Sequence, residues 1–258
     1  MDLSGKRVLL TGAAGGLGEV TARGFAEKGA TLILCSRNRE KLEAMAAELP
    51  NGPHQVIAGD LTAPGAVDTI VEQADTVDIL FANAGRPGGF ALDELPADEI
   101  HAVVTVNFEI PIQLAKAVIP QMKERGNGQI VLVGSMAGKF ALPDSTLYSS
   151  TKAGLRAFGW ALRPELAKHG IGVTVVTQSF VSEVGMFAKR NRKAPAGAGT
   201  VKPTSYVAKV LKGIEHDKGE IVIAPPQLRL LSVASTTMPS LFDRVFRRAA
   251  PQRKPAEQ

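Results

Sequence analysis

The sequence predicts a single-domain α/β protein, a doubly wound parallel sheet of about seven strands with helices on both faces. Three observations predict it. Short runs rich in Val, Ile and Leu alternate along the chain with segments of helical hydrophobic period, the pattern of a parallel sheet covered on both sides. The first apolar run passes straight into a cluster of glycines and then into a helical segment. Polar, chemistry-bearing side chains recur just past the ends of the apolar runs, where an open α/β sheet gathers its ligands on one rim. The chain has 258 residues, 45% of them apolar, enough for one large core.

The first strand is expected near 6–11. It runs into Gly12, Gly15, Gly16 and Gly18, and a helix near 16–28 follows through Val20, Ala22, Phe25 and Ala26 to Gly29. This is the form of a phosphate cradle: glycines admit a pyrophosphate to the backbone, and the helix start offers free N–H groups and a positive dipole end. The spacing of Gly12, Gly16 and Gly18 is GxxxGxG rather than GxGxxG. A second strand, 31–35, ends at Cys35 and is followed by Ser36-Arg37-Asn38-Arg39 and a helix near 39–49. A third strand, 54–59, leads into Asp60-Leu61-Thr62 and a helix near 64–74. The fourth, 78–82, ends on Asn83-Ala84-Gly85, and one long helix is expected over 97–124. The fifth, 128–134, ends at Ser135, with a helix near 149–169 after it. The sixth, 172–177, ends on Gln178-Ser179. A helix near 204–216 and a seventh strand, 219–223, complete the sheet.

Tyr148 and Lys152 stand four residues apart, and Ser135 lies thirteen residues before the tyrosine. On a helix, positions i and i+4 share a face. A free phenol titrates near ~10 and is a poor acid or base at neutral pH, but a neighbouring cation favours the phenolate. The pair suits general acid–base work on a carbonyl, with the Ser135 hydroxyl holding the oxygen that the tyrosine protonates.

Gly12, Gly16 and Gly18, then Asn83-Ala84-Gly85, Asn107, Ser135, Tyr148 and Lys152, fall in one order. In this the chain resembles the short-chain dehydrogenase/reductase family over roughly residues 5–225. The resemblance implies a Rossmann-type fold and an NAD(P)-dependent oxidoreductase acting on a hydroxyl or a carbonyl. It implies that Tyr148 is the catalytic acid/base, that Lys152 lowers its pKa and binds the nicotinamide ribose, and that Ser135 orients the substrate. Asn107 would complete a proton relay through water and the lysine. Asn83, Ala84 and Gly85 would line the cofactor, Asp60 would bind the adenine edge, and Leu17, Leu61 and Val181 would join the cofactor contacts. The resemblance also implies a dimer or tetramer built on the two long helices. One departure is plain: the family's Pro-Gly after the sixth strand is Gln178-Ser179 here, and its following threonine falls at Glu183. That departure touches the nicotinamide side of the site.

NADP(H) is expected over NAD(H). An NAD-selective site places an acid after the second strand to bind the ribose 2′-OH. Here Ser36 brings no repulsion for a 2′-phosphate and Arg37 can meet one with charge-assisted hydrogen bonds, assisted by Arg39.

The formal charge is +5, but the basic residues are dispersed and tyrosines and tryptophan total three, so no nucleic-acid partner is expected. The one cysteine, Cys35, excludes an intrachain disulfide and makes a cytoplasmic setting natural. The histidines at 54, 101, 169 and 216 have no ligand spacing, so no metal site is expected. No uninterrupted apolar run approaches the ~18 residues of a spanning helix. Phe90, Phe140, Leu142, Phe180, Met186 and Phe187 lie near motif ends and suit either a lipophilic substrate pocket or core packing. The run 193–200, rich in Ala, Gly and Pro, suits a substrate lid. Residues 1–226 form the expected dinucleotide-binding and catalytic unit, and 227–258 an extension. In the extension two short helical segments flank Pro239. The second sets Leu241, Phe242, Val245 and Phe246 against Arg244, Arg247 and Arg248. Such a basic amphipathic helix serves peripheral membrane contact or packs on protein, and the sequence leaves both open. An alternative to the enzyme, a dinucleotide-binding regulatory or scaffold protein, would need the glycine turn but not the four catalytic residues.

Overall fold

A computed structural model of the chain describes residues 1–88, 92–140, 145–185, 198–238, 240 and 244. Strands with no polar face become the middle of the sheet. All residues of β4 (Ile79–Ala82) and of β5 (Gly128–Val133) are buried, and β1 (Arg7–Thr11) is buried from Val8 onward. Around them lie β2 (Thr31–Ser36), β3 (Gln55–Ala58), β6 (Ile171–Gln178) and β7 (Glu220–Ile223). The seven strands run in the order β3-β2-β1-β4-β5-β6-β7, every neighbouring pair parallel. The winding therefore reverses between β1 and β4, and a crevice opens beyond their carboxyl ends.

Helices cover both faces. One face packs α1 (Gly16–Glu27) and α7 (Pro203–Glu215) on the sheet through Phe25, Tyr206, Val210 and Ile214, with Phe25 edge-on to Phe81 at 5.7 Å between ring centroids. The other face packs α3 (Ala66–Ala74), α5 (Ile110–Arg125) and α6 (Thr146–Ala167) through Ile70, Leu114, Val118, Met122, Leu155 and Leu162. The helix α2 (Arg39–Glu48) flanks β2 and β3 and is capped by Asn38, whose side chain accepts from Lys41 N. Cys35 is fully buried, and burial pushes its thiol up to about 12, the behaviour of a core residue.

The expected single helix over 97–124 is not uniform. It is α4 (Ala97–Val104), a π turn over Thr105–Glu109, and then α5. Single π turns inside helices are frequent at functional sites, and this one carries the buried Asn107. The 29 residues Ala97–Arg125 have a mean hydropathy of 1.4 over an 18-residue window and by length and composition match a membrane span. Ile110, Leu114, Ala115, Val118 and Met122 of this stretch are buried in the core against the sheet instead.

A last described helix, α8 (Pro226–Thr237), follows β7 and is the first of the two segments expected before Pro239. Leu228 joins Met136, Phe140, Ala198 and Ala224 in a small third cluster, with Phe180 and Leu231 packed against it. Leu230 and Val233, by contrast, are 72% and 60% exposed. Of the expected second segment only Arg244 is described among its named residues. Leu241, Phe242, Val245, Phe246, Arg247 and Arg248 lie outside the described residues, as do Phe90, Leu142, Met186, Phe187 and most of the run 193–200.

Glu220 of β7 ties three elements together. Its carboxylate accepts from Arg156 Nε and Nη2 of α6, both at 3.0 Å, and from Thr177 Oγ1 of β6 at 2.6 Å, and it pairs with Lys139 at 3.2 Å. Burial alone would raise this carboxyl. The hydrogen bonds from Arg156 and Thr177 and the charges of Lys139 and Arg156 outweigh it and hold the group at about 2. A depressed carboxyl stabilises the fold above its unfolded value of 4.5, and that stabilisation is lost as pH falls toward 2. Glu220→Gln should be less stable than wild type at neutral pH by roughly 2 kcal/mol, with the gap closing on acidification from about pH 5 to about pH 2.5. Urea melts across that window check it; a gap that stays constant would contradict the assignment.

Candidate active site

The crevice at the β1/β4 reversal is a cleft of about 1110 Å³, just above the range of about 300–1,000 Å³ usual for small-molecule sites. Its floor is set by short contacts that exclude side chains. Gly12 has φ +64°, and a Cβ there would stand 2.9 Å from Ala84 Cα. A Cβ on Gly18 would strike the carbonyls of Gly12 and Ala13. Gly16 has a different reason: its Cβ would meet Gly185 N at 2.8 Å, where the segment after β6 crosses the turn. The junction is tied from the other side by Thr11. Its buried hydroxyl accepts from Asn83 N and Ala84 N, both at 3.1 Å, while Asn83 Nδ2 donates to Thr11 O and Gly12 O. Gly15 caps α1 without a side-chain hydrogen bond, so the first amides of that helix are left for an anion. A bare glycine cradle at an uncapped helix start fits the pyrophosphate of a dinucleotide.

At one end of the cleft stand Ser36, Arg37, Asp60 and Leu61. Arg37 is exposed; its charge, after hydrogen bonds from Thr62 N and Oγ1, helps hold the Asp60 carboxyl below its usual range. Arg39 is paired with Glu43 at 3.5 Å and exposed. Nearer the middle of the sheet stand Tyr148, Lys152, Val133, Gly134 and Gln178. Burial pushes the Tyr148 phenol up, and a hydrogen bond with Ser135 draws it partly back. Burial pulls the Lys152 ammonium down to about 8. Lys152 Nζ donates to Val133 O at 2.9 Å and lies 5.8 Å from the centroid of the Tyr148 ring. In this arrangement burial, rather than the lysine's charge, dominates the phenol. Ser135 Oγ accepts from Ala137 N at 3.1 Å and starts a 3-10 turn, Met136–Gly138.

The structure brings Gly12, Gly16, Leu17, Gly18, Ser36, Arg37, Asp60, Leu61, Asn83, Ala84, Gly85, Tyr148 and Lys152 to one cleft. Asn107 and Val181 stand behind its wall. Asn107 is fully buried and commits its carboxamide to the backbone of Arg86, accepting from Arg86 N and donating to Arg86 O, both at 2.8 Å. It thereby fixes the chain just after Asn83-Ala84-Gly85. The side chain of Val181 sits in the core, and its backbone bridges to Val201. Sequence reading misses Gly138, where a Cβ would stand 2.6 Å from Lys152 C. The turn after Ser135 thus lies directly on the backbone of α6. A glycine three residues past Ser135 is the available signal. Sequence reading also misses the cleft wall formed by Arg86, Pro87 and the α4 residues Asp98, Glu99 and Ala102, which no local pattern marks.

A parallel sheet with a glycine cradle at its reversal and a Tyr/Lys/Ser group on the same rim defines a dinucleotide-dependent oxidoreductase. Residues 6–195 match the family model described as short chain dehydrogenase. The chain is 31% identical over 256 residues to the ketoacyl reductase HetN of a Nostoc species, covering 95% of this chain and 89% of that one. It is 32% identical over 267 residues to dehydrogenase/reductase SDR family member 7B of Bos taurus, covering 96% and 82%. A solved short-chain dehydrogenase from Sphingobium yanoikuyae in complex with NADPH superposes with a TM-score of 0.78 at 27% identity, covering 98% of each chain. The chain belongs to the short-chain dehydrogenase/reductase family. It is an NAD(P)-dependent oxidoreductase acting on a small organic substrate.

Proposed function

We propose that this enzyme is an NADP(H)-dependent oxidoreductase interconverting a carbonyl and a hydroxyl, in which Tyr148, Ser135 and Lys152 form the catalytic group and Asn107 positions the chain after Asn83-Ala84-Gly85. The observation that carries the reading is the placement of Tyr148 and Lys152 in one cleft with the glycine cradle, with Ser135 near enough to the phenol to draw its pKa partly back down. A bound nicotinamide dinucleotide supplies or accepts the hydride. The protein handles the proton. The Ser135 hydroxyl holds the substrate oxygen, and Tyr148 donates to it. A phenol kept neutral by burial is a proton donor at neutral pH, the form needed in the reducing direction. Lys152 supplies buried positive charge beside the phenol and steadies the developing phenolate. Asn107 holds the loop on which the cofactor would rest. Gly12, Gly16, Leu17, Gly18, Asn83, Ala84, Gly85, Asp60 and Leu61 make up the rest of the cofactor site, with Val181 supporting it from the core. Tyr148→Phe keeps the ring and removes the proton. Its turnover should fall about 10²–10⁴-fold, with cofactor affinity unchanged by calorimetry. A variant with more than about half the wild-type rate would remove Tyr148 from the chemistry.

The preference for NADP(H) rests on Ser36 and Arg37 at the open end of the cleft and on the NADPH bound by the Sphingobium relative. NADPH should bind at least about tenfold tighter than NADH, the scale of one or two charge-assisted hydrogen bonds. Arg37→Glu should erase or invert that ratio. Equal dissociation constants in the wild type would refute the preference.

A lipophilic substrate is supported by Phe140 and Phe180, which cluster with Met136 directly after Ser135. We further propose a cytoplasmic homodimer or homotetramer associating through α5 and α6, the second of which carries Trp160, 46% exposed. Peripheral membrane contact through the extension is the second reading, supported by exposed Leu230, Val233 and Met238 on and after α8. Light scattering at micromolar concentration should give a multiple of 27.2 kDa; a monomer mass rejects the assembly. Sedimentation with anionic vesicles should be lost on truncation after Pro226, and an intact chain that stays in the supernatant rejects membrane contact.

A further inference from the structure

We propose that Gln178 recognises the carboxamide of the nicotinamide ring. This inference rests on the dinucleotide reading of the cleft. Gln178 ends β6 and lines the cleft together with Tyr148, Lys152, Val133 and Gly134. Its Oε1 is buried and has no hydrogen-bond partner, and the same is true of the adjacent Ser179 Oγ. Buried polar atoms are nearly always paired, so an orphan on a cleft-lining residue, with a second beside it on Ser179, points to a missing polar ligand. The backbone here is not the cause, because Ser179 N is bonded to Ile223 O at 2.9 Å and holds the strand end in place.

The chemistry of that ligand follows from what shares this part of the cleft. Tyr148 must reach the reacting carbonyl, and the reacting ring must lie beside that carbonyl. The ring is therefore at the Tyr148 end, away from Arg37 and Asp60, and its amide substituent is the polar group it brings. A glutamine side chain offers one acceptor and an N–H donor group, the complement of a primary carboxamide. Turning the Gln178 amide toward the cleft satisfies Oε1 with the carboxamide N–H. Glu183 does not compete for this role, since it is exposed, has φ +66°, and is not among the residues that line the cleft.

The test is calorimetric and does not depend on turnover. The full chain is titrated with NADP⁺, with its nicotinic-acid counterpart, in which a carboxylate replaces the carboxamide, and with 2′,5′-ADP, which lacks the ring. The NAD⁺ amide and acid pair is run alongside, so that either cofactor preference reports. Wild type should favour amide over acid by about tenfold or more, since the acid loses the N–H and sets a carboxylate against Oε1. Gln178→Met should bind the amide cofactor about fivefold or more weakly, bring the amide-to-acid ratio close to one, and leave 2′,5′-ADP unchanged. Gln178→Glu keeps an acceptor oxygen; it should retain amide binding within about threefold and widen the discrimination against the acid. An amide-to-acid ratio in either folded variant equal to that of wild type overturns the role of Gln178 while leaving the dinucleotide reading intact. Failure of wild type to bind NADP⁺, NAD⁺ and 2′,5′-ADP alike overturns both.

Discussion

Parallel strands β1 and β4 lie side by side while the segments that leave them travel in opposite directions, to β2 and to β5, and the cleft is the space that this divergence leaves. What keeps it open, and keeps it narrow at its floor, is the junction of Thr11, Gly12 and Asn83. The threonine hydroxyl takes two backbone N–H groups from the β4 end, and the asparagine amide returns two hydrogen bonds to the β1 end. With Gly12 pressed against the Ala84 backbone there is no room for a side chain between the strands. The glycine turn is therefore held in one shape before any ligand arrives. Preorganisation of this kind is what allows backbone amides at a helix start to act as an anion site.

The reacting side of the cleft depends on a second set of ties. Ser135 and Tyr148 come from different elements, and their separation is fixed by the close approach of Gly138 to the backbone of α6 at Lys152. Glu220 reinforces it from behind, holding Lys139 just past Ser135 and Arg156 one turn past Lys152. A carboxylate tied to Arg156, Thr177 and Lys139 is costly to bury and strongly destabilising to leave unpaired, so the network favours one arrangement of the segments that carry Ser135 and Tyr148 over its neighbours. The same burial that fixes these groups sets their protonation. It disfavours charge on both: the phenol is pushed up and keeps its proton, while the ammonium comes down to about 8 and lies close to releasing its own. Perturbation of two neighbouring groups by one dry environment is what a proton-handling site requires.

Asn107 and Gln178 are two amides at one cleft with opposite outcomes. The π turn aims Asn107 inward, where both ends of its amide are satisfied by Arg86. Gln178, at the cleft wall, is left with an orphan oxygen. The first completes the protein's own structure; the second leaves an unpaired acceptor on a cleft residue beside Tyr148 and Lys152.

Much of this was legible in the sequence by itself. The alternation of apolar runs and helical periods determined the sheet, its helices and its strand ends, because period and burial are local properties of the chain. The ordered motif from Gly12 to Lys152 pointed to the family and, because their spacing along the chain is set by strand and helix lengths, to many of the residues that line the cleft, though Asn107 lies behind its wall. The sequence did not reveal that the helix over 97–124 breaks at a π turn, since Thr105–Glu109 carries no glycine and no proline to mark it. It did not reveal that Gly16 makes room for Gly185, that Gly138 rests on α6, or that Glu220 binds Arg156 and Lys139, since each contact joins different elements of the fold. Nor could it say that Lys152 would turn its ammonium to Val133 O, or that Gln178 would bury an unpaired oxygen. Those outcomes belong to the tertiary structure, because hydrogen-bond partners and desolvation are properties of the space around a side chain and not of its neighbours in the chain.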